Sequence, residues 1–305
     1  MENAFVVPQI ALKTILYATD FSQFSDAALP SALSLARKYR SKIFAVHVIS
    51  LTPFSGSSPT QASRALAAQA LREAGEAMDR LERQCKDVPH EMLIRKGEIW
   101  DELSGIVKDK SIDVIVCGTH GRTGVSKIIM GSIAEKIYRH APCPVLTVGP
   151  RVAGEAESLG DIHAILFPTD FTPESISAAP YAVSLAVENQ ARLYLLHVAQ
   201  SPVSRLIEHD LVTRLLNLVP QNVQLSCSPK AFVEFGEPGP KITDLAEELM
   251  VDLIVLGPKR LPMAPASHHL PTATAQYVVS RAVCPVLTAS SKLGAAHILG
   301  ASAPK

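Results

Sequence analysis

The sequence predicts an α/β protein made of two copies of one domain in tandem, each an open parallel sheet flanked by helices. Three observations carry that expectation. Five segments recur in the same order in the two halves of the chain. Apolar runs of strand length alternate with amphipathic helical patterns, which is the signature of a parallel sheet covered on both faces. The length of 305 residues suits two domains of about 150 residues each.

The repeat can be read directly. Lys13-Thr-Ile-Leu-Tyr-Ala-Thr-Asp-Phe-Ser22 recurs as His163-Ala-Ile-Leu-Phe-Pro-Thr-Asp-Phe-Thr172, and Ile43-Phe-Ala-Val-His-Val48 as Leu193-Tyr-Leu-Leu-His-Val198. Gly97-Glu98 recurs as Gly236-Glu237, and Ile112-Asp-Val-Ile-Val-Cys-Gly118 as Val251-Asp-Leu-Ile-Val-Leu-Gly257. Pro142-Cys-Pro-Val-Leu-Thr147 recurs as Val283-Cys-Pro-Val-Leu-Thr288. The offset is 150 at Asp20/Asp170 and His47/His197, 139 at Gly97/Gly236 and Gly118/Gly257, and 141 at Cys143/Cys284. The second copy has therefore lost 11 residues between its His-Val strand and its Gly-Glu turn, and regained two after Gly257. The expected domains are residues 1–150 and 161–290.

Runs of Ile, Val and Leu bounded by turn residues read as strands buried on both faces. Ala67, Leu71, Ala74, Met78 and Leu81 step by fours and threes and mark one stripe of a long helix. Ile99, Leu103, Ile106 and Val107 mark a shorter helix, with Trp100 packing at its start. Right-handed crossovers leave few ways to connect such elements. Gly149–Gly160 lacks periodicity and reads as the interdomain linker. Leu51–Thr60 reads as a loop leaving the second strand, and the segment from Ser290 onward as a frayed tail.

Composition excludes several classes. The hydrophobic fraction is 47% and the formal net charge is +0 with charges interspersed, so there is no nucleic-acid footprint. The N-terminus has no signal-peptide pattern, and no apolar run is long enough to span a membrane. The expectation is a cytoplasmic protein. Cys85, Cys117, Cys143, Cys227 and Cys284 are odd in number and form no CxxC pair, which argues against a disulfide framework or a structural zinc. Cys117 closes an apolar strand as a core thiol, and Cys143 and Cys284 sit in Cys-Pro-Val steps.

The chemistry concentrates after the strand Ile112–Cys117, in Gly118-Thr-His-Gly121-Arg-Thr-Gly124-Val-Ser-Lys-Ile-Ile-Met-Gly131-Ser132. Glycines turn the chain and let backbone approach a ligand. Successive N–H groups in such a turn make an anion-binding concavity. Gly131-Ser132 then opens an amphipathic stretch, and a helix N-terminus suits a phosphate. The Ser132 hydroxyl either donates to a phosphate oxygen or caps the helix. Arg122 and Lys127 add charge, and His120 either orients a phosphate or faces solvent. The spacing fits neither a Walker loop nor a Rossmann fingerprint. Asp20 either touches a ligand at the carboxyl end of the first strand or caps the next helix. His47 and His197, inside apolar strands, read as satisfied core histidines.

These residues resemble the universal stress protein family. The resemblance rests on Gly118-x2-Gly121-x9-Gly131-Ser132, Ala-Pro-Cys-Pro-Val, the Thr-Asp-Phe-Ser end of the first strand and the His-Val second strand, and it covers nearly the whole chain. It implies a five-stranded parallel sheet in each domain, of the Rossmann-like, adenine nucleotide alpha hydrolase-like kind. It also implies pairing through the final strand, usually between the halves of a tandem member, and leaves association of two chains open. It places a nucleoside at Ala18, Asp20 and Val48, and phosphates at Cys117, Gly118, Gly121, Gly131, Ser132 and Ile133. The implied ligand is ATP or a related adenine nucleotide, with or without Mg2+. The implied role is a nucleotide-dependent stress-response sensor or regulator with an unidentified protein partner.

The second copy departs from the pattern. Gly257 is followed by Pro258, Lys259 and Arg260, so the second loop glycine is gone. Leu270-Pro271, or Thr272-Ala273 once the insertion is allowed for, replaces Gly-Ser, while Pro168, Asp170 and Val198 keep the nucleoside side. No general base, arginine finger or metal-binding carboxylate cluster is evident near the first loop, so turnover is expected to be weak or absent. Two alternatives stand beside this reading: an ATP-hydrolysing or adenylating enzyme, and an interaction module without nucleotide.

Overall fold

A computed structural model describes residues 9–10, 12–50, 61–119, 131–152, 162–257, 274–289 and 298–299. The first half runs β1 (Gln9–Ile10), β2 (Thr14–Ala18), α1 (Gln23–Asp26), α2 (Leu29–Tyr39), β3 (Lys42–Ile49), α3 (Gln61–Cys85), β4 (His90–Lys96), α4 (Ile99–Asp109), β5 (Val114–Gly118), α5 (Ser132–His140) and β6 (Val145–Val148). The second runs β7 (Ala164–Pro168), α6 (Pro173–Ile176), α7 (Ala179–Asn189), β8 (Arg192–Ala199), α8 (Arg205–Leu216), β9 (Lys230–Phe235), α9 (Pro238–Glu248), β10 (Leu253–Leu256), α10 (Thr274–Arg281), β11 (Val286–Thr288) and β12 (Ile298–Leu299).

Within each half the strands are parallel, and the order β4-β3-β2-β5-β6 is repeated as β9-β8-β7-β10-β11. The two open sheets meet edge to edge. β6 runs antiparallel to β11, with Leu146 opposite Leu287, and one sheet of ten strands results. Thr147 and Thr288, equivalent in the repeat, close this seam reciprocally. Thr147 Oγ1 donates to the Val286 carbonyl at 3.1 Å and Thr288 Oγ1 to the Val145 carbonyl at 3.2 Å.

Alternation along the strands sorts side chains between the faces. Ile15 and Tyr17 of β2 join Ile165 and Phe167 of β7 in one apolar cluster that crosses the seam. Leu16 and Leu166 point the other way, into separate clusters under α4 and α9. On the shared face, α2 and α7 meet: Tyr39 Oη donates to Glu188 Oε2 at 2.6 Å, and Lys38 bonds Asn189.

The repeat persists in the backbone. Phe21 and Phe171, Arg40 and Gln190, and Ser111 and Met250 all take left-handed φ between 49° and 60°, a region that L-residues other than glycine seldom occupy. Arg40 and Gln190 are the left-handed caps that end α2 and α7. The repeated aspartates are tethers. Asp113 Oδ2 accepts the N–H groups of Lys13 and Thr14 at 2.6 and 2.9 Å, and Asp252 Oδ2 those of His163 and Ala164, both at 2.8 Å. Each fixes the entry of the strand beside it.

Three local expectations are revised. Ile298 and Leu299, in the segment read as a frayed tail, pair antiparallel with Ile10 and Gln9. Gly149–Val152, read as the start of a linker, is held in place: Val152 is buried, and Arg151 bonds Glu247 and the Arg281 carbonyl. The stripe of α3 is buried at Ala74, Met78 and Leu81, but Leu71 is exposed and stands outside the cavity that Ala70, Glu73 and Ala74 border. Residues 51–60 and 153–160 lie outside the described set.

Replacing Asp252 by Ala leaves two strand-entry N–H groups without their acceptor. A destabilisation of about 1–3 kcal/mol is expected, and a lower urea midpoint without a change of slope is the measurement that checks it.

Candidate functional site

β2 is flanked by β3 on one side and β5 on the other, so the chain order switches direction at β2. In open α/β sheets, such a switch opens a crevice at the carboxyl ends of the strands. A cavity of about 640 Å³ lies there, within the range of small-molecule sites. Its floor is the ends of β2, β3 and β5, at Ala18, Val48 and Cys117. One wall is α3, through Ala70, Glu73 and Ala74; another is α4, through Ile99 and Leu103; a third is α5, through Ile133, Ala134 and Ile137.

The sharp turn after β2 presents Asp20. Phe21 takes the left-handed conformation, its N–H donates to Thr19 Oγ1 at 3.0 Å, and Ser22 N–H donates to Asp20 Oδ1 at 3.0 Å. Ser22 is the cap of α1, its hydroxyl accepting from the Ser25 N–H. Asp20 therefore braces the turn at the border of the cavity. Burial first, and the charge of Asp20 second, raise the carboxyl pKa of Asp26 above its ordinary value. His47 is buried at the border of the cavity, donates from Nδ1 to the Thr19 carbonyl at 2.9 Å, and lies 4.5 Å from the Phe21 ring. His197 repeats this bond with Thr169 at 2.9 Å.

Gly118 borders the cavity, but its missing side chain answers another need. A Cβ there would sit 2.4 Å from the Phe24 carbonyl oxygen. Gly257 has the same constraint, with the Glu174 carbonyl oxygen at 2.3 Å. Both glycines let the short helix after the first strand cross close over the strand end, in the half that kept the glycine loop and in the half that lost it.

The far end of the glycine loop returns to its start. Gly131 N–H donates to the Thr119 carbonyl at 2.9 Å, and Thr119 N–H to the Val148 carbonyl at 3.1 Å. Gly131 is the N-cap of α5 and makes no side-chain cap bond. The first N–H groups of a helix have no intrahelical acceptor, and those of α5 start at the cavity wall. Ser132 is the first residue of α5. Gly121, His120, Arg122 and Lys127 lie outside the described residues, as do residues 258–273 of the second half.

Of the residues expected to bind, Ala18, Asp20, Val48, Cys117, Gly118, Gly131 and Ile133 border this single cavity. The walls supplied by α3 and α4 were not expected. A signal for α3 exists in the sequence: the 11 residues missing from the second copy fall at this element, and α8 has 12 residues where α3 has 25. In the second half the Arg214 guanidinium stacks on the Phe171 ring at 4.2 Å, and Asp170 is exposed, bonded to Thr172. Trp100 packs against the first-half core beneath α4 and lies 6.0 Å from the His140 ring.

The five cysteines are free. Burial pushes the thiols of Cys117, Cys143 and Cys284 up to about 12, and that of Cys85 to about 11. Cys117, on the cavity floor, is a protonated thiol at neutral pH. Among the described residues no cluster of His, Cys, Asp and Glu is arranged to hold a metal ion, and no helix is long and apolar enough to cross a membrane.

The fold and crevice define a tandem α/β protein with, among the described residues, a small-molecule-sized cavity at the strand ends of its first half. The universal stress protein family profile matches residues 11–149 and 162–290, and the chain belongs to that family. The universal stress protein MJ0531 of Methanocaldococcus jannaschii is 33% identical over 141 residues, which cover 45% of this chain and 81% of the relative. MJ0577 of the same organism is 26% identical over 155 residues, covering 46% and 96%. A solved universal stress protein from Archaeoglobus fulgidus aligns over 91% of this chain and 98% of its own, with a TM-score of 0.65 and 19% identity, a likeness of fold.

Two outcomes follow from this geometry. Gly257→Ala must displace the backbone of α6, and Gly118→Ala that of α1; each is expected to cost about 1–3 kcal/mol in urea unfolding. The buried thiols also set an alkaline limit. An ordinary thiol titrates at 9.0, whereas the folded chain holds these protons to about 11 or 12. Their contribution is complete below the lower value and is lost as pH rises through the upper one. The urea midpoint should therefore hold to pH 8.5 and fall between pH 9 and 12.

Proposed function

We propose that the chain binds ATP in the first-half cavity and acts as a nucleotide-responsive regulator in the cytoplasm, without efficient turnover. The observation that carries this reading is the convergence of Asp20, Val48, Gly118 and the start of α5 on one cavity of about 640 Å³. The nucleoside lies over Ala18 and Val48, with Asp20 accepting from its hydroxyls. The phosphates lie toward Gly131, Ser132 and Ile133, where helix N–H groups and the positive end of the α5 dipole face them. Gly121 and Ser132 complete the phosphate grip. The donor set suits Mg2+ only as a partner of the phosphates, since the described walls offer Asp20 and Glu73 and no preassembled cluster.

Weak or absent turnover is supported by the state of the nearby groups. The Cys117 thiol is protonated, so it offers no thiolate nucleophile on the cavity floor. The second half is read as a non-binding copy, because its loop glycine and the long helix wall are both lost.

Calorimetric titration tests this. About one ATP per chain is expected. Ala70→Phe projects a ring into the cavity from a half-buried helix position and should weaken binding at least about tenfold, near 1.4 kcal/mol. Ser132→Ala should remove one charge-assisted bond worth about 1.5–3 kcal/mol. Two equivalent sites per chain, or parent-like affinity in Ala70→Phe, would sink the assignment to this cavity.

A further inference from the structure

Helix α5 faces two ways. Gly131, Ile133, Ala134 and Ile137 border the cavity. Ile137 belongs to the buried cluster of the first half, with Leu103 and Val145. Ala134 belongs instead to the buried cluster of the second half, with Val278, Val279 and Ala282, and Tyr138 packs against that cluster. One helix turn thus touches the ligand space and the core of the other domain. A second route runs through the backbone. Gly131 is bonded to Thr119, and Thr119 to Val148 at the end of the seam strand β6. The next residue, Gly149, lies so close to α10 that a Cβ there would stand 3.2 Å from the Val279 carbonyl oxygen.

We propose that the second half is a positioning element for the ligand site of the first, buttressing α5 from behind so that nucleotide binding and packing of the α5–α10 seam are energetically linked. This rests on the nucleotide reading above. A helix N-terminus holds phosphate through the direction of its N–H groups, so the pose of α5 sets the grip. That pose is fixed on one side by the chain's own core and on the other by α10. Linkage is reciprocal: if seam packing strengthens binding, bound nucleotide must tighten the seam by the same factor.

Tyr138 and Val279 do not border the cavity, which makes them clean probes. ATP titration of Tyr138→Ala and Val279→Ala should show affinity at least about fivefold weaker than the parent, the low end of measured couplings. Tyr138→Phe keeps the ring and should restore parent affinity. Tyr39→Phe removes the Glu188 bond of the same interdomain interface, away from α5, and should leave affinity unchanged. In the unmodified protein, saturating ATP should slow amide exchange across Thr274–Arg281. If the parent binds ATP while Tyr138→Ala keeps its affinity, or if ATP leaves α10 exchange unaltered, the buttress is overturned and the nucleotide reading stands. If the parent binds no ATP, both fall. Should Val279→Ala fail to fold, Tyr138→Ala and the exchange measurement decide alone.

Discussion

The antiparallel contact of β6 with β11 is the constraint on which the rest of the molecule depends. A parallel open sheet ends in a strand with unpaired N–H and C=O groups, and such an edge invites uncontrolled association. Here β6 and β11 are both buried, and each is the other's edge cover. Tandem duplication supplies the partner at fixed stoichiometry. The seam also determines the surroundings of the site, because Val148 at its end anchors Thr119, and Thr119 anchors Gly131. The start of α5 is thereby tied to a strand held in the other half's sheet.

Duplication lets the copies separate their duties, and the glycines record it. Gly118 and Gly257 are both kept because a side chain at either would strike the helix backbone that crosses it. Their retention says nothing about ligand. At the second loop glycine the copies differ in sequence: Gly121 stands in the first, whereas Pro258, Lys259 and Arg260 follow Gly257 in the second. On the proposed reading the two differences belong together, since a phosphate loop without the long α3 wall to hold the nucleoside has little use. The stacking of Arg214 on Phe171 occupies the turn of β7 in a way that has no counterpart among the described contacts of Phe21.

Much of this was legible in the sequence because it depends on local pattern. Buried parallel strands are written as apolar runs; Asp113 and Asp252 stand out as a repeated pair, while their bonds to the strand-entry N–H groups appear only in the structure. The family match and the doubled α/β fold follow from the same segments. The α4 wall was not legible, and α3 was marked only by the 11 residues missing from the second copy, which do not say what the helix borders. Ala70 and Ala74 sit at helical spacing on an apolar stripe, and the sequence cannot tell an alanine that packs from one that leaves room. The exposure of Leu71 is hidden for the same reason: periodicity reports a face, not what lies opposite it. The pairing of Gln9–Ile10 with Ile298–Leu299 joins the two ends of the chain, a contact that no local signal encodes.

The charge distribution of the cavity argues for one orientation of the proposed ligand. Among the described residues that border it, Asp20 and Glu73 are acidic and none is Lys or Arg. A triphosphate placed against those carboxylates would meet like charge in a partly enclosed space, where screening is weaker than in bulk water. Hydroxyl groups of a ribose would instead donate to them. The N-terminus of α5, which begins after Gly131 on the cavity border, carries partial positive charge and N–H groups that favour an anion. The carboxylates and the helix N-terminus thus favour different parts of the proposed ligand. The apolar floor at Ala18, Val48 and Cys117 suits the flat face of a base, leaving polarity at the rims to fix direction. In the proposed pose, the described groups beside the phosphates are the backbone N–H donors at the start of α5. Backbone donors can stabilise charge but cannot accept a proton from an attacking water, which supports the proposed retention of the nucleotide.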